Sequence, residues 1–134
     1  MIAFSLKLYF ATLGVFFVVD MLWLGVLARG FYRKYLGGLL APNTNWLAAG
    51  IFYLLFIFGI LFFVVLPGLK EGTLSALLLR AALYGLITYA TYDLTNLATL
   101  KDWPVVLTVV DILWGVTLST LVSLASYAIG RWMM

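Results

Sequence analysis

Four long apolar stretches, separated by short polar connections, dominate the chain. Each approaches or exceeds the roughly 20 residues that an α-helix needs to cross the hydrocarbon core of a bilayer. None alternates polar and apolar residues with the period of two that a membrane-spanning β-strand requires. Backbone groups inside a bilayer must be hydrogen-bonded within the spanning structure, so these stretches predict helices. The predicted spans cover residues 4–28, 46–66, 74–98 and 104–129.

The connections between the predicted spans leave no room for a further domain, so we expect one transmembrane domain over residues 1–134. Short connections make consecutive helices antiparallel neighbours, which predicts an all-α, integral membrane four-helix bundle. The longest connection, residues 29–45, begins with basic and aromatic residues. We expect it to lie at the membrane interface, with Arg33 and Lys34 among lipid phosphates.

Composition supports a membrane protein and removes several kinds of chemistry. Hydrophobic residues make up 66% of the chain, and the mean hydropathy is +1.15, which excludes a water-soluble domain. The chain has no Cys and no His, so we expect no thiol chemistry, no metal ion and no cofactor. The net charge of +3 fits basic residues at lipid headgroups, so we expect no nucleic-acid partner. Lys and Arg are divided evenly between the two sides, so the positive-inside rule predicts no orientation.

Three aspartates lie inside the predicted spans: Asp20 in the first, Asp93 in the third and Asp111 in the fourth. Each costs about 2.5 to 3.5 kcal/mol near the centre of an inserted helix, so a function has to be considered for them. From the helical rise we expect them about 13, 12 and 10 Å below one membrane face. The three carboxyl groups therefore form one layer. Carboxyl groups crowded in a low dielectric cannot all ionise, so we expect at least one of them to carry a proton.

Each aspartate has a polar or aromatic companion three residues later, on the same helix face: Trp23, Asn96 and Trp114. Tyr89 lies one turn before the aspartate of the third span. Carboxylates bind cations, and indole rings supply apolar or cation–π walls. The predicted ligand-binding residues are Asp20, Trp23, Tyr89, Asp93, Asn96, Asp111 and Trp114.

Two of these sites lie in nearly repeated sequences, Val18-Val19-Asp20-Met21-Leu22-Trp23 and Val109-Val110-Asp111-Ile112-Leu113-Trp114. The two stretches belong to helices that run in opposite directions. Such a repeat is typical of an inverted pseudo-twofold relating two halves of a membrane protein.

The function that this pattern favours is the binding of a small cationic or amphipathic molecule, with proton-coupled transport as its extension. Transport through four short spans would require a second copy, which makes a homodimer the expected assembly. Whether the protein is an enzyme stays open. The alternative is a membrane enzyme that acts on a lipid or isoprenoid, either with paired aspartates as acid and base or with several of them holding a Mg²⁺ ion at a phosphate. A second alternative is a structural or assembly subunit, in which the aspartates only bind neighbouring helices.

The chain also resembles a known family. The resemblance rests on five segments that together cover nearly the whole chain: Asp20-Met21-Leu22-Trp23, Phe31-Tyr32-Arg33-Lys34, 89–99 (YATYDLTNLAT), Trp103-Pro104 and Asp111-Ile112-Leu113-Trp114-Gly115. They are similar to the bacterial membrane proteins of the family DUF2177, a domain of unknown function. This resemblance implies four spans and a location in the bacterial inner (plasma) membrane. It implies no activity, cofactor or residue role.

Overall fold

Four helices in the computed structural model, which describes residues 1–134, are long and apolar enough to cross a membrane. They are called here the first to fourth spans, and they cover Ile2–Leu27, Trp46–Glu71, Leu74–Thr99 and Val105–Met133. An interfacial helix, Arg29–Leu36, and a short 3-10 turn, Gly37–Leu39, follow the first span. The structure confirms the predicted all-α four-helix membrane bundle. The inverted pseudo-twofold stays a prediction.

The ends of the helices follow local sequence signals. The side-chain oxygen of Asn45 accepts a hydrogen bond of 3.1 Å from the backbone N–H of Ala48, which caps the second span. That span continues to Glu71, beyond the predicted end at residue 66. Pro67 does not stop it and lies inside the continuous span, two residues after the π-helical turn Ile60–Val65, where the hydrogen-bond pattern already departs from that of an α-helix. Gly72, with a φ of 75°, ends the helix in the left-handed conformation that glycine adopts without strain.

Two of the spans contain π-helical turns. The first span ends in one, Trp23–Leu27, directly before the interfacial helix. The second span contains another, Ile60–Val65, near its middle. Such widened turns occur mostly as local features of α-helices and are frequent at functional sites. The turn in the second span separates Trp46–Gly59, which contributes to the cavity described below, from Leu66–Glu71.

The first and fourth spans pack antiparallel against each other. Near one membrane face, the hydroxyl groups of Thr12 and Ser126 share a hydrogen bond of 2.7 Å. Towards the other face, the rings of Trp23 and Trp114 stack with centroids 4.4 Å apart and planes 8° apart. Hydroxyl bonds and flat aromatic contacts of this kind substitute for the hydrophobic driving force, which is missing between helices in lipid.

The third and fourth spans approach closely because small residues meet between them. A side chain at Gly85 would collide with the backbone of Gly115, and one at Gly115 would collide with the ring of Tyr89. Nearby, the hydroxyl of Ser119 donates a hydrogen bond of 2.7 Å to the carbonyl oxygen of Ala81. The small residues four apart therefore serve helix packing, as their spacing predicts.

The bundle is closed at one end and open at the other. A continuous apolar core fills the half that is remote from the interfacial helix. Its fully buried residues are Leu8, Phe16, Ile57, Ile60, Val64, Leu77, Leu118 and Val122. In the other half, the segment Trp46–Gly59 packs against the first span, while the backbones of the second and third spans meet mainly at Ile60–Val65 and beyond. At Phe56 the two spans are joined, because the hydroxyl of Tyr84 donates a hydrogen bond of 3.0 Å to the carbonyl oxygen of Phe56. A lateral gap therefore separates only the part of Trp46–Gly59 that precedes Phe56 from the third span.

Candidate functional site

The open half of the bundle encloses a cavity of about 730 Å³. All four spans and the interfacial helix contribute to its wall. Its polar groups are three carboxyl groups, four tyrosines and two threonines, from Asp20, Tyr32, Thr44, Tyr53, Thr88, Tyr89, Tyr92, Asp93 and Asp111. Most of the remaining wall is apolar or aromatic, and it contains no Lys or Arg. A large apolar pocket with a few converging polar groups is the usual form of a ligand site.

Asp93 is the most deeply buried of the three aspartates. Its side chain is 0% exposed, and neither carboxyl oxygen has a hydrogen-bond partner within the protein. The carboxyl group of Asp111 lies beside it. Buried carboxyl oxygens almost always have partners, so two free oxygens at one residue require an explanation.

Asp111 is held by a chain of hydrogen bonds that begins on the first span. The indole N–H of Trp23 donates to the hydroxyl of Tyr32 at 3.1 Å, and that hydroxyl donates to Oδ1 of Asp111 at 2.5 Å. Burial, and then the hydrogen bond to Asp111, raise the pKa of Tyr32 above its ordinary value of 10.0. Tyr32 therefore stays protonated at physiological pH and acts as a permanent donor from the interfacial helix.

Asp20 has a partner on the second span. The hydroxyl of Tyr53 donates to its Oδ2 at 3.1 Å, and the ring of Tyr53 packs edge-on against Phe16 with centroids 4.9 Å apart. The indole of Trp114 also lies close to the carboxyl group of Asp20. Tyrosine hydroxyls thus pair with Asp20 and Asp111, whereas the neighbour of Asp93 is another carboxyl group, which can pair with it only when one of the two is protonated.

No basic side chain compensates the acidic group. Arg80 is the single basic residue of the third span, and it forms an ion pair of 2.7 Å with Glu71 at the opposite end of the bundle. The acidic residues also do not converge in a set that would hold a metal ion. A charge that balances the carboxylates would have to come from a ligand or from protons.

The structure brings most of the predicted ligand-binding residues together. Five of them, Asp20, Tyr89, Asp93, Asp111 and Trp114, line the cavity. Trp23 does not line it and instead stacks on the far side of Trp114. Asn96, one turn beyond Asp93 on the third span, is not part of the wall. Whether any of these residues binds a ligand stays a prediction.

Sequence reasoning missed three residues that shape this cavity: Tyr32, Tyr53 and Trp103. Tyr32 lies in a basic interfacial segment and Tyr53 in the most apolar span, so neither position indicated a side chain that faces a cavity. Trp103 did have a signal, because residues 103, 107, 111 and 114 follow the spacing of one helix face and all line the cavity.

Comparison with known proteins identifies a family but no characterised relative. The model of DUF2177, described as a predicted membrane protein, matches residues 5–128. No curated protein and no solved structure matches the chain. The match covers most of the chain and agrees with four spans in a multi-pass arrangement. The chain belongs to the DUF2177 family of predicted membrane proteins.

Proposed function

We propose that this protein binds amphipathic cations inside the bilayer, in the cavity that contains Asp93. The observation that carries the proposal is the free carboxyl group of Asp93, fully buried beside a second acidic group and facing a cavity without basic residues. A cation placed there supplies the charge and the hydrogen-bond donors that the protein does not. The aromatic residues of the wall add favourable contacts to the cation and to its apolar part.

The lateral gap supports access from the lipid. It lies between the part of Trp46–Gly59 that precedes Phe56 and the third span, and the cavity wall includes residues on both sides of it, Phe52 and Tyr92, which are 43% and 58% exposed. A molecule with an apolar chain would reach the carboxyl groups from the membrane without crossing the headgroup layer. This favours an amphipathic ligand over a small hydrophilic ion.

Titration of the protein in lipid nanodiscs with dodecylamine tests this proposal. Dodecanol, which has the same chain and no charge, is the matched ligand control. We expect Asp93→Asn to weaken dodecylamine binding about tenfold to a hundredfold, because a hydrogen bond to a charged group is lost. Asp102→Asn, which changes an exposed aspartate of the third loop, should leave binding unchanged. Equal binding of the amine and the alcohol, or equal behaviour of the two variants, would contradict the proposal.

Proton exchange is the mechanism by which such a site would release its ligand. Protons and a cation would compete for the same crowded carboxyl groups, so binding should release protons into a weakly buffered solution. The closed core beyond the cavity leaves one protomer with no open route to the other membrane face. We therefore place transport, driven by a proton gradient, in a homodimer within the bacterial inner membrane. Under an imposed pH gradient, liposomes containing the protein should take up dodecylamine faster than protein-free liposomes, which admit only the neutral amine by diffusion. Asp93→Asn should abolish this difference.

A second function, catalysis on a lipid or isoprenoid, is favoured by the proximity of the Asp93 and Asp111 carboxyl groups and by the lateral gap. One carboxyl group would donate a proton to a bound alkene while the other removes one. Incubation of the protein with an isoprenoid alcohol in heavy water tests this function. Carbon-bound deuterium in the recovered isoprenoid, absent with Asp93→Asn, would establish an enzyme, whereas unlabelled carbon positions would leave only binding. A purely structural role is disfavoured, because the neighbour of Asp93 is another acidic group and no donor of the protein pairs with its oxygens.

A further inference from the structure

Two buried groups of opposite hydrogen-bonding character line the cavity without a partner in the protein. Asp93 offers two acceptor oxygens, and Trp103 offers one donor, its indole N–H. Trp103 is 9% exposed, and its indole nitrogen is itself buried. An indole N–H in an apolar wall loses its hydrogen bond to water on burial and normally regains one elsewhere.

The two groups lie in the same part of the cavity. Trp103 follows the third span, and its ring turns back to pack edge-on against Tyr92 with centroids 6.1 Å apart. Tyr92 immediately precedes Asp93, and all three residues line the cavity. The free donor and the free acceptor therefore belong to the wall of one cavity, on the third span and on the loop that follows it.

The indole N–H of Trp114 has a different environment from that of Trp103. It also lacks a hydrogen bond, but its ring lies close to the Asp20 carboxyl group at the opposite side of the acidic layer. A small movement of Asp20 would satisfy it. The indole N–H of Trp103 is paired with no carboxyl group of the cavity wall, and a ligand oxygen would supply its acceptor.

We propose that the ligand is an amphipathic amino alcohol, or an amine with an equivalent oxygen acceptor beside its nitrogen. Its ammonium group donates to the carboxyl group of Asp93, and its oxygen accepts from the indole N–H of Trp103. This assignment rests on the proposed function and adds a second recognition element to it. A plain alkylamine satisfies Asp93 but leaves Trp103 unpaired, and a quaternary ammonium ion has no N–H to donate to Asp93 and no oxygen to accept from Trp103.

The buried indole N–H of Trp103 should make the site bind ligands with an oxygen acceptor more tightly than ligands without one. A site that hydrogen-bonds a ligand oxygen rejects an analogue lacking that oxygen, because the protein group is then left without a partner. The test is a pair of isosteric ligands in lipid nanodiscs. N-dodecylethanolamine carries the hydroxyl group, and N-propyldodecylamine carries a methyl group in its place. We expect the amino alcohol to bind about tenfold more tightly, as one hydrogen bond predicts.

The variant Trp103→Phe keeps an aromatic ring and removes the N–H. It should lower the affinity for the amino alcohol to that for the amine, and it should leave the affinity for the amine unchanged. Trp132→Phe, at an exposed position 86% accessible, is the matched control and should preserve the preference. Measuring both ligands on both the wild type and Trp103→Phe isolates the contribution of the hydrogen bond between the ligand oxygen and the Trp103 indole.

An NMR measurement of the indole N–H groups checks the same contact without relying on affinity. The chain has 5 tryptophans, and Trp103→Phe identifies the signal of residue 103 by its loss. The amino alcohol should shift that signal downfield, and the isosteric amine should not. Equal affinities for the two ligands, with Asp93→Asn still disruptive, would overturn this inference and leave the proposed function standing. If neither ligand binds, or if Asp93→Asn has no effect, the proposed function itself fails.

Discussion

At Asp93, we expect one substitution to change ligand binding and the stability of the bundle in opposite directions. An apolar side chain of similar size would remove the cost of burying two unsatisfied oxygens, which is about 1 to 3 kcal/mol. We expect Asp93→Leu to raise the stability of the bundle by about this amount while abolishing ligand binding. Thermal unfolding in detergent measures the change. A loss of stability would mean that Asp93 has a structural partner, and the binding proposal would then lose its main support.

Tyr32 is the residue through which the interfacial helix contacts the acidic layer. Tyr32→Phe removes both its bond to Asp111 and its bond from Trp23, while keeping the ring. We expect a loss of about 1 to 3 kcal/mol, since one bond involves an acidic group, and faster hydrogen exchange throughout Arg29–Leu36. Tyr35→Phe is the matched control, because no side-chain hydrogen bond of the structure involves the Tyr35 hydroxyl. Equal exchange in the two variants would show that Tyr32 does not anchor the helix.

At the scale of helices, the contact between the third and fourth spans depends on the absence of side chains. Gly115→Ala would place a methyl group inside the ring of Tyr89, so either the helices separate or the ring moves into the cavity. We expect Gly115→Ala to destabilise the bundle by about 1 to 3 kcal/mol, as overpacking does elsewhere, and to weaken ligand binding.

Gly14→Ala serves as the control for this prediction. Its added methyl group meets nothing within 4 Å, and the position lies on the lipid-facing side of the first span. Unfolding and dodecylamine titration of the two variants should therefore differ clearly. Equal stability and equal binding would mean that the third and fourth spans tolerate a wider separation than the structure shows.

The helices themselves were predictable from the sequence because spans in lipid are selected by length and apolarity alone. The second span shows the limit of this reasoning. Hydropathy ends it near the Pro67-Gly68 pair, whereas the backbone continues through a π-helical turn to Glu71. Which side of the span lines a cavity was also unpredictable, because its outer and inner faces are equally apolar and its only inward polar group is Tyr53.

At the scale of the whole molecule, the aspartates could be predicted as one layer because helical rise fixes their depth. The hydrogen-bond partners of the individual aspartates could not be predicted. Only the three-dimensional arrangement shows that Tyr53 and Tyr32 satisfy Asp20 and Asp111 and leave Asp93 free. The ring of Trp103 turns back from a loop to pack against Tyr92 of the third span. Such contacts depend on which helices are neighbours, and length and apolarity carry no information on that.

The pairing of the first span with the fourth has a consequence for biosynthesis. The ribosome delivers Asp20 and Tyr32 to the membrane well before their neighbours Trp114 and Asp111 exist. A nascent chain that ends after the third span therefore exposes its acidic groups without the helix that encloses them. Assembly of the pocket is completed by the last segment to be translated, so truncated chains should be recognisable to membrane proteases as unfinished.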